Sequence, residues 1–143
     1  MCIRDRDEKN SNPSRICVFN LWRRFDKDGV DAPFALCDSR TVSEKELIPT
    51  DLFNYGKQEE NTETLADENG FTVEIYQSMN SDDHQWYFYP KMNREEVVMF
   101  KTYDSNEKPF MPTLHSAFDD AVHAREGASP RESIEVRAIC FYD

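Results

Sequence analysis

The chain has 143 residues, a formal net charge of -11 and 38% hydrophobic residues. This length is enough for one domain with a buried core and too short to favour two. The acidic balance argues against a nucleic-acid or anionic-membrane surface, because both need clustered Lys and Arg. No hydrophobic run reaches the length of a membrane span.

The cysteines indicate a reducing environment. Cys2, Cys17, Cys37 and Cys140 are widely spaced and form no C-x-x-C pair. Three of them lie in strand-like runs, where a free Cys behaves as a small hydrophobic residue. We therefore predict neither a zinc site nor a disulfide framework, and we predict a cytoplasmic location.

The first six residues, MCIRDR, match the in-frame translation of a common transposase adapter. We therefore predict that residues 1–6 are a sequencing artefact. Residues 7–143 are then expected to be the C-terminal portion of a single domain whose upstream part is missing.

Most predicted elements are β-strands. Residues 15–25 are rich in β-formers, and residues 71–78 (FTVEIYQS) alternate apolar and polar side chains. The other predicted strands are 34–42, 84–90, 97–104, 114–118 and 132–143, and the predicted turns and loops are 26–33, 54–70, 93–96 and 119–130. Ser43 precedes Glu46 at the capping-box spacing, which predicts a short helix ending before Pro49. Six or seven strands with one short helix are typical of an antiparallel sandwich or jelly roll.

Several common enzyme motifs are missing. The four glycines, at positions 29, 56, 70 and 127, are far apart, so the chain has no dinucleotide-binding turn, Walker loop or G-x-S-x-G elbow. It also has no glycine-rich strand of the kind that binds S-adenosylmethionine.

His115 is the most informative histidine. Arg131 and Ser133 follow it as Arg-x-Ser, and the intervening length predicts that they return beside His115 on a neighbouring strand. An Arg and a Ser can grip a carboxylate, and beside a metal-binding histidine they would form what a 2-oxoglutarate site requires. The alternative is an ordinary hairpin with a structural histidine. We predict that His84 and His123 are solvated, and that Asp119 and Asp120 cap a turn.

An ordered set of segments carries a more specific signal. FNLWRR, APFALCDSRTV, IPTDL, HQWYFYPKMNREEVVMFKTYDS, LHSAFDD and SPRESIEVRAICFYD resemble the C-terminal part of the CmcJ/NvfI-type (AsaB-like) oxygenases, over residues 15–143. The resemblance implies a mainly β, double-stranded β-helix (jelly-roll) fold, incomplete at its N-terminus. It also implies Fe(II) held by two His and one carboxylate, 2-oxoglutarate as cosubstrate, and oxidation of a small molecule.

Individual roles follow from the same resemblance. His115 matches the distal metal-binding histidine, and Arg131 with Ser133 matches the cosubstrate clamp. Arg137 competes for the clamp role, and Arg125 is a weaker candidate. Residues in the matching segments that could line the substrate pocket are Asn20, Trp22, Tyr87, Lys101 and Tyr103, although strand aromatics are more often core residues.

The chain also departs from the family pattern. Arg24 stands where relatives commonly have Pro, Leu114 replaces a Pro before the histidine, and no His-x-Asp or His-x-Glu occurs. Two metal ligands are therefore expected upstream of residue 15, and the 143 residues alone are expected to be inactive. The alternatives are a non-catalytic β-sandwich binding protein and a methyltransferase, a label given to this family for historical reasons.

Overall fold

The computed structural model describes residues 12–25, 32–55, 71–120 and 130–143, and at 54, 55 and 71 the backbone only. This part of the chain contains eight strands and two short 3-10 turns. The strands are β1 (Arg15–Arg24), β2 (Phe34–Cys37), β3 (Leu47–Tyr55), β4 (Phe71–Ser78), β5 (Trp86–Phe88), β6 (Val98–Asp104), β7 (His115–Ala117) and β8 (Ser133–Tyr142), and the turns are Ser39–Thr41 and Glu44–Glu46.

The strands pair in a nested order. β1 pairs with β6, β2 with β5 and β3 with β4, all antiparallel. β8 adds to the other side of β1 and β7 to the other side of β2, giving sheets β6-β1-β8 and β5-β2-β7. A chain that passes repeatedly between two such sheets is a jelly roll, so the predicted fold class is confirmed.

The core of the first compact unit, residues 1–42 and 83–143, lies between these two sheets. Trp22, Met92 and Phe100 are buried there, and Phe34 and Leu36 of β2 pack against them. The Trp22 and Phe34 rings are stacked with their centroids 4.3 Å apart. Side chains of β1, β2 and β6 therefore converge on one aromatic cluster.

Strand β8 has its polar side turned inward. Glu135 pairs with buried Trp22 and Arg137 with buried Asn20, so these two charged residues share the inner face of the sheet. The apolar residues Ile134 and Val136 lie on the opposite, exposed face. Glu135 and Arg137 are themselves exposed, but both hydrogen-bond to the completely buried Asn20. A polar group as buried as Asn20 needs such partners.

The second compact unit, residues 43–82, holds the β3–β4 hairpin. The short helix predicted before Pro49 is present as a single 3-10 turn, Glu44–Glu46, with the predicted capping box: the Ser43 backbone N–H donates to Glu46 Oε2 at 2.8 Å. Pro49 lies inside β3, whose only paired strand among the described residues is β4. An edge strand tolerates Pro because the missing N–H can point away from the partner strand.

Most of the predicted strand bounds agree with the structure. The strands predicted at 15–25, 71–78, 97–104 and 132–143 are confirmed to within a residue at each end. The strand predicted at 34–42 ends at Cys37, because a 3-10 turn begins at Ser39. Residues 1–6, His123, Arg125 and most of the predicted loops lie outside the described residues.

Candidate functional site

His115 opens β7 and lies at the edge of the aromatic cluster. Its ring centroid is 4.7 Å from that of Phe100 and 5.8 Å from that of Phe34. Nδ1 lies 3.0 Å from the Thr113 carbonyl oxygen. Since a carbonyl can only accept, Nδ1–H is the donor in this contact, and Nε2 is the ring nitrogen that could bind a metal in the neutral tautomer. A histidine fixed in this way is prepared to bind a metal through Nε2.

Nε2 of His115 faces a hydrogen-bonded polar network. Glu135 Oε2 lies 4.0 Å from it, and the other oxygen, Oε1, accepts a hydrogen bond from Asn20 Nδ2 at 2.6 Å. Asn20 is 0% exposed, and its Oδ1 accepts from Thr102 Oγ1 and Arg137 Nε, both at 3.3 Å. The network therefore joins β1, β6, β7 and β8 at one point.

Arg131 precedes Glu135 by four positions, whereas Arg137 follows it by two. Its Nη1 donates to the Ala32 carbonyl oxygen at 2.7 Å, and its guanidinium carbon is 5.5 Å from the centre of the Trp22 ring. Trp22 in turn stacks on Phe34, which contacts His115. Ser133 opens β8 opposite Arg24. Both candidate arginines thus lie close to the aromatic and polar cluster around His115.

One geometric expectation is wrong. His115 and Arg131 were predicted to return side by side on neighbouring strands, but β7 pairs with β2 whereas β8 pairs with β1. The two strands belong to different sheets because the chain changes sheet at each crossing. His115 meets the β8 residues across the interior, and the nearest of them in the network is Glu135, which the sequence analysis did not single out.

The pocket candidates fall into two groups. Asn20 and Trp22 belong to the cluster around His115, as just described. Tyr87 is 60% exposed, and its hydroxyl donates to Gln85 Oε1 at 3.1 Å. Lys101 and Tyr103 both contact the Phe110 ring.

Lys101 also belongs to an ion cluster at the end of β6. Its Nζ donates to Asp104 Oδ2 at 2.7 Å, and Arg15 Nε donates to Asp104 Oδ1 at 2.9 Å. The Arg15 guanidinium beside Asp104 holds the pKa of that carboxyl well below its usual value, and Lys101 adds to the effect. Because Asp104 is buried, this cluster fastens the start of β1 to the end of β6.

The residues present fit part of a metal site. Nε2 of His115 and the Glu135 carboxylate are the types of donor that Fe(II) accepts. No group of three His, Cys, Asp or Glu side chains that could hold a metal ion occurs in the described ranges. Over the same ranges, no helix is long and apolar enough to cross a membrane.

The two sheets and the polar network beside His115 define the class of domain as a jelly roll with a histidine on its inner side. A family model described as "Oxidoreductase/YMDC permease-like domain" matches residues 3–141. The chain belongs to this family.

Its relatives include named iron oxygenases. The chain is 30% identical over 128 residues to the Fe(II)/2-oxoglutarate-dependent dioxygenase nvfI of Aspergillus novofumigatus (strain IBT 16806), covering 90% of this chain and 41% of that protein. It is 27% identical to the hydroxylase/desaturase asaB of Aspergillus flavus, covering 91% and 57%. A solved structure of the iron and alpha-ketoglutarate-dependent endoperoxidase NvfI superimposes with a TM-score of 0.70 at 29% identity, over 90% of this chain and 43% of that one. The resemblance to NvfI and AsaB is therefore confirmed, and the chain spans roughly half the length of these relatives or less.

Proposed function

We propose that this chain is the C-terminal portion of an Fe(II)/2-oxoglutarate-dependent oxygenase that oxidises a small molecule, with hydroxylation or desaturation as the outcome. The observation that carries the proposal is the state of His115. Its Nδ1–H donates a hydrogen bond to the Thr113 carbonyl oxygen, and its Nε2 lies 4.0 Å from Oε2 of Glu135 on β8.

The strand order indicates where the other two ligands would enter. The pairs β3·β4, β2·β5 and β1·β6 are nested, each enclosing the one before it in the sequence. If the nesting continued, β7 would pair with one strand upstream of β1, and β8 would pair with a second upstream strand. In the described residues β7 and β8 each have one paired neighbour, β2 and β1 respectively. A strand added beside β7 would bring its side chains next to His115. We therefore place the expected His-x-Asp on, or directly after, that upstream strand.

Two arginines can hold the far carboxylate of 2-oxoglutarate. Arg131 with Ser133 has the Arg-x-Ser spacing, and its guanidinium is held by the Ala32 carbonyl and the Trp22 ring. Arg137 is held through Nε by Asn20, within the network that includes Glu135. Each has further N–H donors in the planar geometry that binds a carboxylate in bidentate fashion. We retain Arg131 and Ser133 as the first assignment and Arg137 as its competitor.

The chain's own residues would hold and shield the reaction. Bound iron and 2-oxoglutarate would supply the oxidising chemistry with O₂. His115 would bind the metal through Nε2 while Thr113 keeps its ring in one orientation. Phe34, Phe100 and Trp22 would exclude water from that side of the metal and offer an apolar wall to a small substrate.

We also propose a cytoplasmic location. Cys17, Cys37 and Cys140 are free thiols although Cys17 and Cys140 lie opposite each other on β1 and β8. Free cysteines are usual in reducing compartments. The acidic charge further supports a small-molecule substrate over a nucleic acid or a membrane surface. Cell fractionation that recovers the protein with secreted markers would contradict the location.

The test begins with the gene. Long-read sequencing across the codons for residues 1–6 is expected to reveal an upstream reading frame with strand-forming segments and a His-x-Asp. The full-length protein is then expected to convert 2-oxoglutarate to succinate with Fe(II), whereas the 143-residue chain is inactive. His115→Ala should abolish this turnover. A native start codon at Met1 with no coding sequence before it, or an active His115→Ala enzyme, would favour the non-catalytic β-sandwich alternative.

A further inference from the structure

The proposed function uses Glu135 only as the carboxylate beside His115 and gives it no part in retaining the metal or the cosubstrate. Its two oxygens point in defined directions: Oε1 accepts the hydrogen bond from Asn20 Nδ2 at 2.6 Å, and Oε2 lies 4.0 Å from His115 Nε2. Glu135 lies opposite buried Trp22 on β1, on the same face of the sheet as buried Asn20, and its side chain is 32% exposed. An acidic side chain held in this position faces the nitrogen to which we assign the metal.

We propose that Glu135 is a cation-facing positioning residue that helps His115 to retain a divalent metal ion. The inference rests on the proposed function only for the assignment of His115 as a ligand. Two coordination bonds of about 2.1 Å span up to about 4.2 Å, so a cation bound to Nε2 lies within direct or water-bridged reach of Oε2. The negative charge of the carboxylate stabilises the cation in either arrangement.

Asn20 keeps Glu135 in place. The Glu135 side chain is 32% exposed, so without a buried partner it could turn towards solvent. The Asn20 amide cannot turn with it, because its Oδ1 is held by Thr102 and Arg137 and the residue is completely buried. Asn20 therefore acts on the metal through Glu135, and it touches neither the metal nor the substrate in this role.

The competing interpretation is a simple ion pair between Glu135 and protonated His115. That pair would contribute to the stability of the fold and would have no effect on cation binding beyond its share of the net charge. The two interpretations can be distinguished with a control substitution that removes one negative charge close to Glu135 in the sequence but away from His115. Glu132, three positions earlier, supplies this matched control: its backbone carbonyl accepts from Phe25 N–H, and its side chain can be neutralised without touching that bond.

The experiment uses the ¹⁵N-labelled 143-residue chain and substoichiometric Mn²⁺, whose paramagnetism broadens the amide signals of nearby residues. In the unmodified chain we expect the signals of His115 and Glu135 to broaden together. Glu135→Gln should reduce the apparent Mn²⁺ affinity at His115 by about tenfold, the usual effect of losing a residue that supports a metal ligand. Asn20→Ala should reduce it in the same direction, His115→Ala should abolish the paired broadening, and Glu132→Gln should leave it unchanged.

The inference is overturned if the Glu135→Gln variant shows the same Mn²⁺-induced broadening as the unmodified chain, or if Glu132→Gln lowers the apparent Mn²⁺ affinity as much as Glu135→Gln does. It is also overturned if Mn²⁺ does not broaden the amide signals of residues 115 and 135 in the unmodified chain. Dispersed amide spectra verify that each variant is folded. An inactive full-length protein combined with the Glu135 effect would reject the oxygenase and keep the cation site. An active full-length enzyme without the Glu135 effect would reject this inference alone.

Discussion

Replacing Asn20 tests whether its hydrogen bonds stabilise the packing of β6 and β8 on either side of β1. The amide makes three side-chain hydrogen bonds, two of them to the charged groups of Glu135 and Arg137. A hydrogen bond to a charged group contributes about 1.5–3 kcal/mol and one between neutral groups about 1 kcal/mol. Because Glu135 and Arg137 can regain water in the variant, we expect Asn20→Leu, which keeps the number and branching of the side-chain heavy atoms, to lower the free energy of unfolding by about 2–4 kcal/mol.

Urea denaturation followed by tryptophan fluorescence measures this change, since Trp22 is buried against Phe34 and reports on the same region. Thr102→Val is the graded control: it removes only the neutral partner and should cost about 1 kcal/mol. Asn20→Leu with the stability of the unmodified chain would show that the network contributes nothing net. Thr102→Val as damaging as Asn20→Leu would show that the charged partners do not matter.

Three further results are expected. Phe100→Ala should lower the free energy of unfolding by about 3–5 kcal/mol, because it opens a cavity in the core, and calorimetry would reveal a smaller loss if the neighbouring rings collapse into it. Asp104 has a depressed pKa, so its contribution to stability is present above the ordinary carboxyl pKa and is lost as the pH falls below about 4. Asp104→Asn should therefore be less stable than the unmodified chain in urea at pH 7, with a gap that narrows at pH 3; a constant gap would contradict the ion cluster. In the full-length enzyme, Arg131→Ala should chiefly raise the apparent KM for 2-oxoglutarate, and if Arg137→Ala does so instead, Arg137 is the clamp.

Local patterns in the sequence were sufficient to predict most strands and the alternation within β8. Strict alternation at residues 71–78 and 132–143 corresponds to β4 and β8, because the side-chain period of a strand is two residues. The alternation also places Ser133, Glu135 and Arg137 on one face. What alternation alone does not tell is which face points inward. The apolar face of β8 is the natural choice for the interior, yet the structure exposes Val136 and buries the contacts of Glu135.

The contact between Glu135 on β8 and His115 on β7 could not be predicted, because it depends on the order of the strands in the two sheets. Sixteen residues separate His115 from Arg131, and a simple hairpin of that length would make their strands neighbours. In the jelly roll the same two strands lie in opposite sheets, so the contact forms across the interior and selects Glu135 instead. Sequence spacing within one strand is a local property, whereas a contact between sheets depends on every intervening pairing.

Strand β8 exposes its apolar face and turns its charged face towards the interior, which is the reverse of the usual orientation. On the outer face of the sheet, Leu21 pairs with Met99 on one side and Val136 on the other, which forms an apolar row across β6, β1 and β8. Met99 is 65% exposed and Val136 48% exposed within the described residues. Burying such an apolar row would stabilise a fold, whereas turning the charged groups of Glu135 and Arg137 towards the interior is favourable only where they find partners. The strand nevertheless turns its charged side inward, and the partners it meets there are Asn20 and His115. This orientation is reasonable if the interior is built to hold a charged ligand, and it is the physical reason to look for the proposed metal and cosubstrate on the inner side of β8.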